Sequence, residues 1–129
     1  MKKVKWYYAT ESQFNNIPEN AGVYLITITC GGGDKKEDFV IYSGQSTNIA
    51  KRCKEHWSDS ESNDDLKNII KKYNNLLKVY YCFVETSELD GCEKFLFEHY
   101  LPQLQQRKPD AELIEISLPP EPKIGNVNF

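Results

Sequence analysis

The chain is poor in arginine. Of its sixteen basic residues only Arg52 and Arg107 are not lysine. Histidine is also scarce, with two, and there is a single methionine. The four cysteines, at 30, 53, 82 and 92, form no Cys-x-x-Cys pair and sit inside apolar stretches. This excludes a disulfide frame and predicts reduced, buried cysteines in a cytoplasmic protein. No apolar run approaches the roughly 20 residues that cross a bilayer, so no membrane-spanning segment is expected. The first eight residues carry charge but no apolar segment follows them, which argues against a secretory leader. Positive charge is not in excess either. The net charge of −3 argues against a protein that coats nucleic acid by bulk attraction.

What is present describes an ordinary soluble domain: 129 residues, 40% hydrophobic and 27% charged. The charge is unevenly spread. Residues 46–78 hold seven basic and five acidic side chains, residues 84–129 four and nine, and residues 1–45 five of each. A mildly basic centre therefore precedes an acidic C-terminal part. Against a lysine-rich background, Arg52 invites a role for a planar, bidentate donor.

Residues 9–14 read as a short helical turn, closed by Ile17-Pro18. The β-branched and aromatic run 22–29 is a strand, and 39–42 a second one, joined as a hairpin through the polar loop Gly31–Asp38. Three glycines in that loop could suggest a phosphate cradle, but a strand follows them and no lysine-serine pair does, so they read as hairpin slack. Ser46 or Thr47 is the expected cap of a helix with Ile49, Cys53 and Trp57 along one stripe. A second helix opens at Ser62-Asn63 with acids in its first turn, and buries Leu66, Ile69, Ile70 and Tyr73. Residues 76–84 form a third strand. Ser87 is expected to cap a long helix over 88–106, with Leu89, Cys92, Leu96, Tyr100 and Leu104 inward. A short edge strand at 113–118 ends at Pro119-Pro120. The expected class is α/β (α+β), a small three-stranded antiparallel sheet flanked by helices. Residues 1–16 form an N-terminal extension, 17–106 the domain, and 107–129 a tail that covers a sheet edge, mediates dimerisation or stays mobile.

Within this frame Glu93 lies beside the apolar face of the last helix, where a carboxylate is costly unless paired, hydrogen-bonded or bound to a metal. Arg52 and His56, four apart, project from one helix face. Tyr24 and Tyr42 fall in facing strands. Cys53 and His56 have a zinc-like spacing, but no second ligand pair accompanies them.

Taken in order, Gly22-Val23-Tyr24, Tyr42-Ser43-Gly44, Arg52 ten residues after Tyr42, His56 four later and Glu93 resemble the GIY-YIG nuclease superfamily. The resemblance covers about residues 17–106 and includes the lead-in 17–21, the stretch 42–52 and the stretch 93–102. It implies a three-stranded antiparallel sheet carrying a phosphodiesterase site with a single divalent metal, Mg²⁺ or Mn²⁺. It further implies that Glu93 ligates the metal, that Arg52 grips the scissile phosphate, that Tyr42 or Tyr24 prepares the attacking water, and that His56 relays a proton. Three departures stand out: Ser43 where the family carries an aliphatic residue, a longer hairpin loop, and Gln105 where it carries an orienting Asn.

The resulting expectation is a metal-dependent DNA endonuclease, of repair or mobile-element type. Its groove would be lined by Lys51, Arg52, Lys54, Lys67, Lys71 and Lys72, with a protein partner possible for targeting. Nothing reads as a base-contacting element, so intrinsic sequence specificity is expected to be limited. The competing expectation is a non-catalytic nucleic-acid- or protein-binding module on the same fold.

Overall fold

The computed structural model describes residues 1–105 and 108–129. Arg107, and Gln106 at the expected end of the long helix, lie outside the described residues. Four strands form one antiparallel sheet: β1 (Tyr7–Ala9), β2 (Gly22–Cys30), β3 (Glu37–Ser46) and β4 (Leu77–Phe83), in the order β1-β4-β2-β3. Three α-helices accompany it: α1 (Ile49–His56), α2 (Asp64–Tyr73) and α3 (Leu89–Tyr100). The sheet thus has one strand more than expected. Tyr7–Ala9 is too short to announce itself by alternation, and pairs with β4 through Tyr7, Tyr8 and Ala9.

Both faces of the sheet are covered, so β2 is buried along almost its whole length. On one face Tyr24, Ile26 and Ile28 meet Ile49, Cys53, Leu66 and Ile70 of α1 and α2. On the other, Val23 and Leu25 meet Leu89, Cys92, Leu96 and Tyr100 of α3, together with Ile116. This is the period-two alternation of a strand sandwiched between two helical layers. Cys53, Cys82 and Cys92 are buried and reduced, while Cys30 is only half-buried.

The ends of the helices correct several expectations. Asn48, not Ser46 or Thr47, caps α1, its side chain accepting from the Lys51 N–H at 3.1 Å. The Ser46 hydroxyl is engaged by Asn48 itself. Asn63 caps α2 by accepting from the Leu66 N–H. A single 3₁₀ turn, Thr86–Glu88, leads into α3, so Ser87 lies before the helix and does not cap it. That helix stops at Tyr100 because Leu101 is left-handed (φ 49°) and Pro102 follows it. The 113–118 strand reduces to one parallel bridge, Lys2 with Ile116. The neighbouring donors, Val4 N–H and the Trp6 indole, are spent on Ser117, which stops the ladder from growing.

Between Ile26 and Thr27 the β2–β3 register shifts by one residue, so Ile26 faces Tyr42 while Thr27 faces Val40. Ile41 is the extra residue, and both it and Tyr42 join the core under α1. The bulge leaves the Ile41 carbonyl to accept from the Leu104 N–H at 2.9 Å. Farther along the same open edge, Lys123 exchanges two backbone hydrogen bonds with Asp38 and Val40. Of the three fates open to the tail, edge covering is the one observed at residue 123.

Two glycines are dictated by contact. A Cβ on Gly22 would lie 2.1 Å from the Cys82 carbonyl and 2.5 Å from Ile49 Cδ1. A Cβ on Gly44 would lie 2.4 Å from the Tyr24 hydroxyl oxygen. Gly22→Ala should therefore lower unfolding free energy by about 1–3 kcal/mol or more. Gly32→Ala, at a position with open space around it, should leave the urea midpoint nearly unchanged. Equal midpoints for the two variants would contradict this packing.

Candidate active site

Strands β2 and β3 pair Tyr24 opposite Gly44 and Ile26 opposite Tyr42, which sets both tyrosines on the face that carries α1. Their rings stack with centroids 6.4 Å apart. His56, at the last turn of α1, meets both edge-on, at 5.6 Å from Tyr24 and 5.2 Å from Tyr42. The Tyr24 hydroxyl lies 2.6 Å from His56 Nε2. On the other side of the imidazole, Nδ1 lies 2.5 Å from Oε2 of Glu61, which also accepts from the Asn63 N–H through Oε1. His56 and Glu61 are both buried. Nothing in the sequence pointed to Glu61, because it sits in the irregular connection between α1 and α2. The only available signal was an acid five residues beyond the histidine.

Burial dominates the electrostatics here. It pushes the Tyr24 phenol well above its ordinary value and raises Tyr42 as well, with the Arg52 charge opposing both. Burial holds His56 below the ordinary histidine range, against the pull of Glu61. Glu61 is itself lowered: burial alone would raise it, but hydrogen bonds from His56 and the Asn63 N–H outweigh that. The pair is therefore a neutral imidazole against an ionised carboxylate. An ionised carboxylate only accepts, so Nδ1 carries the ring hydrogen and Nε2 is left to accept from the Tyr24 hydroxyl.

Glu93 arrives from the opposite face of the sheet, on α3. It shares with Tyr42 a polar cleft of about 490 Å³ at the β3 edge, which Gln45, Asn63, Asp90, Gln105, Lys108, Pro109 and Asp110 complete. The residue is 9% exposed, and the Gln45 amide reaches its carboxylate at only 3.4 Å. Burial, reinforced by Asp90, pushes it up to about 7. Such a poorly satisfied carboxylate suits a hard cation. Mg²⁺ in particular takes one or two carboxylates and completes its shell with water and phosphate oxygens. Among the described residues no group of three or more His, Cys, Asp or Glu side chains surrounds a potential ion. The donor set thus fits a single-carboxylate site open to ligands, and does not fit a structural zinc site.

Two of the three departures from the family pattern, Ser43 and Gln105, touch each other. The Ser43 hydroxyl and the Ser43 N–H, the latter at 3.0 Å, both donate to Oε1 of Gln105. Ser43 is thereby more than a packing change, since it holds the amide of a cleft-lining residue. The anticipated lysine groove is not assembled in this way. Lys51 and Lys54 line a separate hollow beside Glu55 and Ser58. Lys67 donates to the Asp59 carbonyl, Lys71 lies 3.9 Å from the Asp59 carboxylate, and Lys72 covers the Tyr73 ring. None of the five lines the cleft, whose cation among the described residues is Lys108, itself bonded to Glu98.

The buried charge at Glu93 has a sign that can be measured. Its proton is held more tightly in the folded chain (about 7) than at the ordinary value of 4.5. The stability it contributes is full below pH 4.5 and is lost as pH rises through 7. Metal-free Glu93→Gln should accordingly be more stable than the parent at pH 8, by at most about 3 kcal/mol. The gap should close below pH 4.5 in denaturant titrations with chelator present. A variant less stable than the parent at pH 8 would refute the desolvation of Glu93.

The sequence model of the GIY-YIG catalytic domain matches residues 20–108. No curated protein matches the chain. Among solved structures, similarity is found to three point-mutant forms of the GIY-YIG N-terminal endonuclease domain of UvrC from Thermotoga maritima, each bound to its catalytic divalent cation. Identity is 19–20%, over 74% of this chain and 93% of that domain, with a TM-score of 0.52. The likeness to those structures is one of fold. The domain match runs from before Gly22 to beyond Gln105 and takes in Tyr24, Tyr42, Arg52, His56, Glu61, Glu93 and Gln105, and the chain belongs to the GIY-YIG family.

Proposed function

We propose that the chain is a divalent-metal-dependent endonuclease that hydrolyses DNA phosphodiester bonds, with limited intrinsic sequence specificity. The observation that carries this reading is the meeting of Tyr42 and Glu93 in one cleft. The Tyr24–His56 pair lies directly behind Tyr42, and the Arg52 charge acts on both phenols. Family membership supports nuclease chemistry in general. The metal, the substrate and the residue roles are the reading offered here.

Glu93, with water, would hold Mg²⁺ or Mn²⁺, which supplies charge against the phosphate and acidifies bound water. Arg52 is half-buried and held firmly protonated: burial opposes its charge, but Tyr24, Glu61 and Tyr42 more than offset it. A guanidinium so placed can grip a non-bridging phosphate oxygen and meet charge as it develops in the transition state. Tyr42 faces the cleft and positions the attacking water, while Tyr24 and His56 take up its proton. Gln105, held by Ser43, orients groups at the cleft wall. Lys51, Lys54, Lys67, Lys71 and Lys72 serve at most as outlying phosphate contacts, and the local contacts of Lys67, Lys71 and Lys72 predict weak, salt-sensitive binding.

Plasmid nicking in Mg²⁺ or Mn²⁺ tests the reading. Cleavage should appear with either metal, vanish with chelator, and fall by about 10²-fold or more in Glu93→Gln, Arg52→Ala and Tyr42→Phe. DNA binding without cleavage in any divalent metal would instead identify a non-catalytic module. For the Ser43–Gln105 contact, Ser43→Ala and Gln105→Ala should each slow cleavage, and the double variant no more than the worse single one. Additive losses would separate the two residues.

A further inference from the structure

Within the site, one buried ionised group, Glu61, is left without a task. Glu61 lies outside every helix and strand, is 5% exposed, and spends both carboxylate oxygens inward, one on the Asn63 N–H and one on His56. A carboxylate taken out of water in this way is unfavourable unless its hydrogen bonds are well made. A surface position facing solvent would satisfy Glu61 equally well. Its carboxylate instead ends a chain of two short contacts, Glu61 to His56 and His56 to Tyr24, at 2.5 and 2.6 Å.

We infer that Glu61 is a positioning residue for the cleavage reaction: it fixes the His56 tautomer, so that His56 withdraws the proton of Tyr24 rather than donating a hydrogen to it. The inference rests on the nuclease reading and names Tyr24 as the phenol that ionises. An imidazole bonded on both sides has two possible polarities. With the carboxylate at Nδ1, only the polarity that leaves Nε2 as acceptor is available. With an amide in that place, the opposite polarity becomes available, and Nε2–H would then donate to the Tyr24 oxygen and block its ionisation.

The proton transfers balance as follows. The Tyr24 O–H proton passes to His56 Nε2 and leaves its bonding pair on the phenolate, while Glu61 stabilises the resulting imidazolium. The phenolate takes the Tyr42 hydroxyl proton, and Tyr42, which faces the cleft, takes one from the water that attacks phosphorus, so both phenols are restored as that water's oxygen forms its bond to phosphorus. The phosphorus–oxygen bond to the leaving group breaks, the alkoxide takes a proton from solvent in the cleft, and His56 later returns its proton along the same two phenols. Five titratable or charged groups face His56 and act on this step: Tyr24 from β2, Tyr42 from β3, Arg52 and Glu55 from α1, and Glu61. Of these, Glu61 is the one bonded to Nδ1.

The test is Glu61→Gln, which keeps the shape and reverses the available polarity, with Glu61→Asp as the conservative variant. ¹⁵N NMR of the ring nitrogens reads the tautomer directly, and with only two histidines in the chain the signals separate easily. The parent and Glu61→Asp should show His56 protonated at Nδ1, and Glu61→Gln at Nε2. Nicking should fall about 10²-fold or more in Glu61→Gln, and Glu61→Asp should retain most of it. In a Tyr24→Phe background, Glu61→Gln should cost nothing further. A tautomer unchanged by Glu61→Gln overturns the inference. So does a reversed tautomer with undiminished nicking, or an additive loss beside Tyr24→Phe. Failure of the parent to nick in every divalent metal overturns the nuclease reading and the catalytic part of this inference together. The tautomer measurement then still decides whether Glu61 sets the polarity of His56.

Discussion

The site depends on an aromatic ring lying flat on a strand that has no side chain beneath it. Tyr24 stands opposite Gly44 across the β2–β3 ladder, and its hydroxyl oxygen lies 2.4 Å from where a Cβ would sit, too close for any side chain there. That contact sets the height of the phenol above the sheet, and so its reach to His56 Nε2. Gly22 acts similarly one turn of the pleat away, letting Ile49 at the start of α1 settle onto the strand and bringing the helix close enough for its last residue to arrive at the phenol. The two glycines are thus spacing elements. One admits the helix and the other the ring, and residues in between need only good strand and helix formers.

Two buried carboxylates then meet opposite fates. Glu61 has a ring N–H and a backbone N–H, and is held ionised below its ordinary value. Glu93 has a long contact from one amide and an acidic neighbour, and is pushed up to about 7. The difference lies in their donors, since both are nearly closed to solvent. A satisfied carboxylate serves to orient what it touches, and an unsatisfied one is a ready ligand for a cation that brings its own charge. Stability given up at Glu93 is the usual consequence of holding a functional group away from water.

The elements that carry these residues were legible in the sequence because of local geometry, while their selection as a site came from the resemblance to the GIY-YIG family. A tyrosine two residues after a glycine in a β-branched run, and an Arg and a His four apart on a helix, need only the periods 2 and 3.6 to be placed. The residues that escaped notice are those whose meaning depends on a distant partner. Glu61 follows no periodicity, and acquires its role only because α1 ends over Tyr24. Ser43 and Gln105 read as two separate departures, and become one contact when the chain after α3 returns to the β3 edge. The five lysines, expected to line a groove, do not line the cleft. Charge along a helix suggests a groove, yet Asp59, Tyr73 and Glu55 lie within reach of the same side chains and shape where they go. β1 was missed because three residues are too few for alternation to register.

The distribution of charge bears on how a nucleic acid could approach. The cleft gathers Asp90, Glu93 and Asp110 beside Lys108, and Lys108 is already bonded to Glu98. A phosphodiester entering such a space meets repulsion from each ionised carboxylate, and in a cleft walled by protein that repulsion is screened less than at an open surface. Arg52, whose charge acts on Tyr24 and Tyr42, offsets one negative charge near the cleft. A divalent cation on Glu93 changes the balance by two, and under the nuclease reading it turns the same space from repelling phosphate to attracting it. Metal and DNA then favour each other's binding to the same degree, because coupling between two ligands is reciprocal. Under the same reading, a net charge of −3 is compatible with phosphate binding, because a metal would supply the positive charge that the cleft's side chains do not.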